Sequence, residues 1–234
     1  MENTAFGSLT LPQMVVSLQK VSDECWGLYL LSRDMLCDRI PPDRKPEMIK
    51  KSISCGDEYA RRTLMETGRH TADNIQKFYR IKVNFINKSQ TNKQMVFANF
   101  TSPNEITIMK QPLEKYEKFL SSLSNSDAAT LPTVTEVRDL LFGHELYHYM
   151  EERYQDEIYT RTEKIRLWKL LCFKNESPIR ALGEIAAMAF ARTLTQISYF
   201  PALLDVLLPF CYNTNYAFRI YKDIMAIRLN QKDN

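Results

Sequence analysis

Glycine is scarce in this chain, with 6 residues in 234, about a third of the usual share of roughly 7%. Few positions are then free for left-handed turns, which disfavours an all-β architecture and favours a helix-rich one. Histidine is scarcer still, at three residues: His70, His144 and His148. The five cysteines (Cys25, Cys37, Cys55, Cys172 and Cys211) are odd in number and lack any C-x-x-C pair, which argues against a disulfide framework and against a zinc ribbon. They read as reduced and mostly buried. A net charge of +3 without a concentrated basic cluster gives no footprint for nucleic acid. The longest apolar stretch, Phe200 to Cys211, is short and interrupted by Pro201, Asp205 and Pro209, so it is no membrane span. The N-terminal MENTAFGSLTLPQ carries no basic segment followed by an apolar one, hence no secretory signal. These absences lead to the expectation of a soluble cytoplasmic protein with neither membrane nor nucleic-acid partner. What is present, 44% hydrophobic and 25% charged residues, is near the globular average and enough for an independent core.

Helical periods dominate. Thr10 caps a helix that enters through Pro12 and repeats apolar residues at Met14, Leu18, Val21, Cys25, Leu28 and Met35 before Pro41 and Pro42 stop it. A second starts near Pro46, carries Ile49, Ile53, Ala60 and Leu64, and ends at Gly68. A short third spans roughly 71–79. The period then changes to two, with Ile81, Val83 and Phe85, the run Met95 to Phe100 and the run Glu105 to Met109, which predicts a small sheet of about three strands. Turn-rich segments at 87–92 and 101–104 are the connectors of hairpin strands. A short helix follows near Leu113 to Leu120, then the low-complexity stretch SSLSNSDAATLP, which reads as a mobile surface loop. Thr133 and Glu136 have capping-box spacing, so a helix begins there and runs to about Tyr154. The charged segment Glu151 to Lys169 reads as a solvated helical face. A further helix spans about Pro178 to Ser198, and one or two helices complete the chain.

His144-Glu145-Leu146-Tyr147-His148 is an H-E-x-x-H pattern. Positions i and i+4 of a helix share a face, so both imidazoles can reach one metal ion at about 2.0–2.1 Å. Glu145 is offset from His144 by about 100° on the helical wheel, over the open side of such an ion, which suits a general base. A catalytic zinc usually takes three protein ligands. Glu184, early in the next amphipathic helix within Gly-Glu-Ile-Ala-Ala-Met-Ala-Phe-Ala, is the candidate third: a carboxylate on an alanine-rich face is costly to bury unless it binds something. The plainer alternatives are a first-turn Glu favoured by its helix dipole, and two histidines on a solvated face. His70 reads as a surface or capping residue.

These residues resemble the ImmA/IrrE family of zinc-dependent peptidases, whose members show HELGH followed by a helix of the form E-x-x-A-N-x-F-A. HELYH at 144–148 is similar to the first motif and EIAAMAFA at 184–191 to the second; the resemblance covers about Tyr59 to Pro201. It implies an α+β fold, mostly helical and gluzincin-like, with a small sheet packed on the active-site helix and an edge strand that aligns an extended peptide. Glu105 to Met109 is the candidate edge. It also implies a Zn2+ cofactor held by His144, His148 and Glu184, with Glu145 as general base. The substrate would be a peptide or protein, a regulatory protein among them, since the family acts in regulatory proteolysis, including clearance of phage-type repressors. An oxyanion donor would come from outside the motif, from Tyr149, Tyr154, Tyr199 or Arg192; Tyr149, one turn from Glu145, is preferred, with a plain packing role as its alternative. On this reading residues 1–50 are a helical extension, 51–201 the metallopeptidase domain and 202–234 a C-terminal helical layer.

Two departures from the family pattern bear on function. Tyr147 stands in place of a Gly and Met188 in place of an Asn, so the cleft is expected to be reshaped or partly blocked by the Tyr147 ring. A metal- or peptide-binding module of the same fold with little turnover is therefore the second reading. A DNA-binding regulator, suggested only by the basic charge, is the third.

Overall fold

Capping residues mark where the helices start. A computed structural model describes residues 9–68, 72–87, 95–170 and 173–231; His70 and Cys172 lie outside them, as do residue 71 and most of the expected connector at 87–92. Thr10 and Gln13 form a reciprocal capping box (Thr10 N–H to Gln13 Oε1, 2.9 Å) that opens α1, Leu11–Leu18. The apolar period continues past this helix, yet the chain breaks at 19–22. Ser22 accepts a hydrogen bond from the Cys25 amide at 3.2 Å and starts α2, Asp23–Ser32. The single helix expected up to Pro41 is thus two, because a serine with an accepting hydroxyl competes with continuation. Met35, expected inward, is 93% exposed beyond the end of α2. α3, Lys45–Thr67, has a proline in its first turn and stops at Gly68, whose φ of +69° is the left-handed C-cap a glycine adopts freely. α4 is Ala72–Tyr79.

The three expected strands form, but in a different order. β1 (Lys82–Ile86), β2 (Ala98–Thr101) and β3 (Glu105–Met109) make a mixed sheet of order β1-β3-β2. β3 runs parallel to β1, Lys82 opposite Glu105, and antiparallel to β2, Ala98 opposite Ile108. Two expectations are corrected here. β1 and β2 are not hairpin partners, and Glu105–Met109 is the central strand rather than an edge. The burial explains the placement: Ile106, Ile108 and Met109 are at most 3% exposed, as suits a strand flanked on both sides. Among the described residues β1 and β2 are the edges, and β2 together with β3 packs on α7 (Val134–Arg153).

α5 (Lys110–Ser121) leads into the low-complexity stretch, which folds one short turn of helix, α6 (Asn125–Ala128), capped by Ser124. α7 starts as its capping box predicts, with Thr133 N–H donating to Glu136 Oε2 at 2.8 Å and the Glu136 amide to Thr133 Oγ1 at 3.1 Å. It ends at Arg153. The segment read as a solvated helical face is instead the short α8 (Tyr159–Thr162) and a hairpin of β4 (Lys164–Leu170) and β5 (Phe173–Pro178). The sequence Ile-Arg-Leu-Trp-Lys-Leu at 165–170 breaks its alternation at Leu167-Trp168, and the β4–β5 register shifts between Arg166 and Trp168, the place of a β-bulge.

α9 (Arg180–Thr195) packs between α3 and α7. Small residues permit this. A Cβ on Gly56 of α3 would fall 2.1 Å from the Ala186 carbonyl oxygen, so only glycine allows the backbones to meet. α10 (Leu204–Phe210) and α11 (Thr214–Asn230) pair with each other, and α11 covers α2. Trp26 stacks on Phe200 with ring centroids 6.3 Å apart. One hydrophobic core contains buried residues from Leu11 to Ile224, and α3 crosses position 50 without a break. The molecule is α+β and mostly helical. No described helix is long and apolar enough to cross a membrane.

Candidate metal centre

The cleft lies where α7, α9, β2 and α10 meet. It has a volume of about 390 Å3, and its walls include Val96, Leu141, Met188 and Leu204 around His144, Glu145, His148 and Glu184. α7 and α9 pack tightly enough to bring the three expected ligands together. The closest donor atoms are His144 Nε2 and Glu184 Oε2 at 3.2 Å, the two Nε2 atoms at 3.3 Å, and His148 Nε2 and Glu184 Oε1 at 3.8 Å. Ligands about 2.0–2.1 Å from a tetrahedral zinc stand roughly 3.4 Å apart, so the triangle has the size such an ion requires. Two imidazole nitrogens and a carboxylate facing one another at these distances suit a shared cation. These are also the His144, His148 and Glu184 side chains that among the described residues form a cluster able to hold a metal ion.

The pair His144–Glu184 is electrostatically coupled. Burial pushes the His144 ring down, but the hydrogen bond and charge of Glu184 outweigh it and raise it to about 9. Burial pushes Glu184 up, and the His144 hydrogen bond with the charges of His144 and His148 brings it down to about 2. Glu145 is 8% exposed, lines the cleft, and has no hydrogen-bond or ion-pair partner among the described residues. Its carboxylate is free for a water or a substrate.

The two histidines are held differently. His148 Nδ1 lies 2.9 Å from Glu151 Oε2, whereas His144 Nδ1 is buried with no partner among the described residues. Glu151 is the buried partner of His148 that the charge pattern concealed. Its side chain is 5% exposed, and it takes hydrogen bonds from Thr160 Oγ1 at 2.5 Å and faces Arg161 at 3.5 Å. Burial raises its pKa, but the hydrogen bonds from His148 and Thr160 and the charge of Arg161 hold it below the usual carboxylate value. The signal available in the sequence was its place three residues after His148, one turn along the same side of the helix.

Tyr147 does not block the cleft. Its ring is fully buried on the interior side of α7, 5.7 Å from the Phe190 ring, with its hydroxyl 3.0 Å from Thr160 Oγ1 and 3.5 Å from Cys55 Sγ. Met188 does line the cleft. Of the candidate oxyanion donors, none is among the side chains that line it. Tyr149 packs on Tyr79 and Phe100, and its hydroxyl accepts from Arg153 at 3.0 Å. Tyr154 packs on Tyr59 under Arg62, and Arg192 is paired with Asp23 at 2.6 Å. The Tyr199 hydroxyl is buried without a partner among the described residues, beside a separate cavity near the start of α7.

Asp205 borders the cleft unannounced by any motif. It accepts from Tyr29 at 3.3 Å and faces Arg33 at 3.7 Å. Burial raises its pKa despite the charge of Arg33. A lone carboxylate within an apolar run was the signal for it. No protein-family model, no curated protein and no solved structure matches the chain, so the functional reading rests on this site alone.

Proposed function

We propose that the chain is a zinc-dependent metallopeptidase with a gluzincin-like core, in which His144, His148 and Glu184 hold the ion and Glu145 is the general base. The observation that carries the reading is the donor triangle of 3.2, 3.3 and 3.8 Å, with an unpartnered carboxylate beside it. A zinc ion held there supplies Lewis acidity, polarising the scissile carbonyl and making an attacking water acidic near neutral pH. Glu145 takes the proton from that water at its carboxylate and delivers it to the leaving amine nitrogen. The apolar side chains of Val96, Leu141 and Met188 line the wall of the cleft beside these groups. β2, whose outer edge is unpaired among the described residues, lies beside the cleft and offers backbone groups to which an extended peptide can add as a further strand. The substrate on this reading is a peptide or an extended segment of a protein.

A second reading, a metal- or peptide-binding module with little turnover, is favoured by one feature. Among the described side chains lining the cleft there is no Tyr, Arg or Lys to donate to an oxyanion. Cleavage of a peptide library by zinc-loaded protein separates the two. The peptidase reading predicts turnover that Glu145→Gln lowers by ~10^2- to 10^4-fold while zinc content is unchanged. Zinc uptake without cleavage supports the module; no zinc uptake contradicts the peptidase and a metal-binding module alike.

A further inference from the structure

Behind His148 runs a buried chain of hydrogen bonds whose direction is determined. Glu151 is a carboxylate beside Arg161, and an ionised carboxylate only accepts. Thr160 therefore directs its hydroxyl proton to Glu151 Oε1, 2.5 Å away. The Thr160 oxygen is left to accept from the Tyr147 hydroxyl at 3.0 Å, and the Tyr147 oxygen to accept from the Cys55 thiol at 3.5 Å. The other carboxylate oxygen, Oε2, receives the Nδ1–H of His148 at 2.9 Å. Every donor in the chain points toward Glu151. The Nδ1 of His148 then carries a proton aimed at Glu151, and its Nε2 faces the donor triangle.

The packing makes room for this arrangement. A Cβ on Gly183 would stand 2.8 Å from Glu151 Oε1 and 3.3 Å from its Cδ, so the missing side chain of α9 is the space the carboxylate occupies. Gly183 immediately precedes Glu184. The residue next to one donor thus clears the place for the group that holds another, while His144 has no comparable support on its Nδ1 among the described residues.

We propose that Tyr147, Thr160 and Glu151 form a positioning device that holds the ring orientation and tautomer of His148 for metal binding. The inference rests on the metal-site reading above. It gives Tyr147, a spacer inside the H-E-x-x-H pattern, a role exerted through its hydroxyl from the far side of the helix. Neither Tyr147 nor Thr160 touches the donor triangle, so both act only through Glu151.

The test uses the full chain, with zinc affinity measured by chelator competition at a temperature where every variant is folded, and with 15N-imidazole spectra of the metal-free protein. Glu151→Gln is expected to weaken zinc binding by about ten- to a hundredfold. Thr160→Val and Tyr147→Phe remove single hydrogen bonds and are expected to cost about three- to tenfold, and Thr160→Ser, which keeps the hydroxyl, to retain wild-type affinity. Wild-type affinity in both Thr160→Val and Tyr147→Phe would overturn the proposal. So would a Thr160→Ser variant as weak as Thr160→Val, because that pattern marks packing alone. If the wild-type chain takes up no zinc, the metal-site reading fails by itself, and the metal-free spectra still decide. A single Nδ1-protonated His148 that is lost in Thr160→Val supports the device, and the same form in both proteins overturns it.

Discussion

The two sides of α7 treat polar groups in opposite ways. On the interior side, Glu151, Thr160, Tyr147 and Arg161 match donors to acceptors, and a carboxylate with 5% exposure is fully supplied. On the cleft side, His144, His148 and Glu184 bring their ligand atoms within 3.8 Å of one another, and Glu145 stands without a partner among the described residues. Buried polar groups that serve only the fold are paired. Glu145, without a partner among the described residues, is the exception that points to the cleft as the candidate site, and the paired set on the opposite side of the same helix backs it.

The contrast breaks most completely if a cleft-side donor is removed. Glu184→Ala is expected to take zinc content from about one ion per chain to nearly none, by elemental analysis after dialysis, with the protein still folded because this side chain is 47% exposed. Retention of zinc by that variant would show that the triangle is not the site.

Gly183→Ala tests the boundary between the two sides. The added methyl group meets Glu151 Oε1 at 2.8 Å, so overpacking of ~1–3 kcal/mol is expected in denaturant unfolding, together with weaker zinc binding. Unchanged stability would mean that the Glu151 carboxylate is free to move.

The pH dependence sharpens the comparison further. In metal-free protein the His144–Glu184 pair is one interaction seen from both partners. His144 is raised from 6.5 to about 9, so its contribution is fully present below the ordinary value and is lost as pH rises through about 9. Glu184 is lowered from 4.5 to about 2, so the contribution is present above the ordinary carboxylate value and is lost as pH falls through about 2. Thermal unfolding in chelator should therefore show this pair at full strength between those ordinary values, weakening toward alkaline pH. Zinc affinity should move the other way and rise up to about pH 9, because the ion displaces the His144 proton. Zinc affinity independent of pH over that range would contradict a protonated His144.

The smallest effect is expected from Tyr149→Phe. Its hydroxyl bonds only Arg153 among the described residues, so a loss of ~0.5–1.5 kcal/mol in stability and unchanged peptide turnover are expected. A large loss of turnover would restore Tyr149 as an oxyanion donor.

These residues also show what was legible before the fold was known. The i, i+4 spacing of His144 and His148, with a carboxylate on the alanine-rich face of the following helix, is local geometry that periodicity reveals. The capping boxes at Thr10 and Thr133 are equally local. Glu151 was hidden because charged runs are normally solvated, and its burial depends on Thr160 and Arg161 folding back across α7. The β4–β5 hairpin was obscured by the same charges and by a register shift that interrupts its alternation between Arg166 and Trp168. Strand order is not a local property: β3 became central because β1 reaches it in parallel over a connection that no period describes. Tyr147 shows the same limit, since one position within a motif can face the cleft or the interior and the packing of α3, α8 and α9 decides which.

Anomalous diffraction at the zinc edge from crystals of zinc-loaded protein tests the central claim most directly. The account predicts one strong peak within about 2.3 Å of His144 Nε2, His148 Nε2 and a Glu184 oxygen. A peak elsewhere, or no peak at fully loaded concentration, would contradict it.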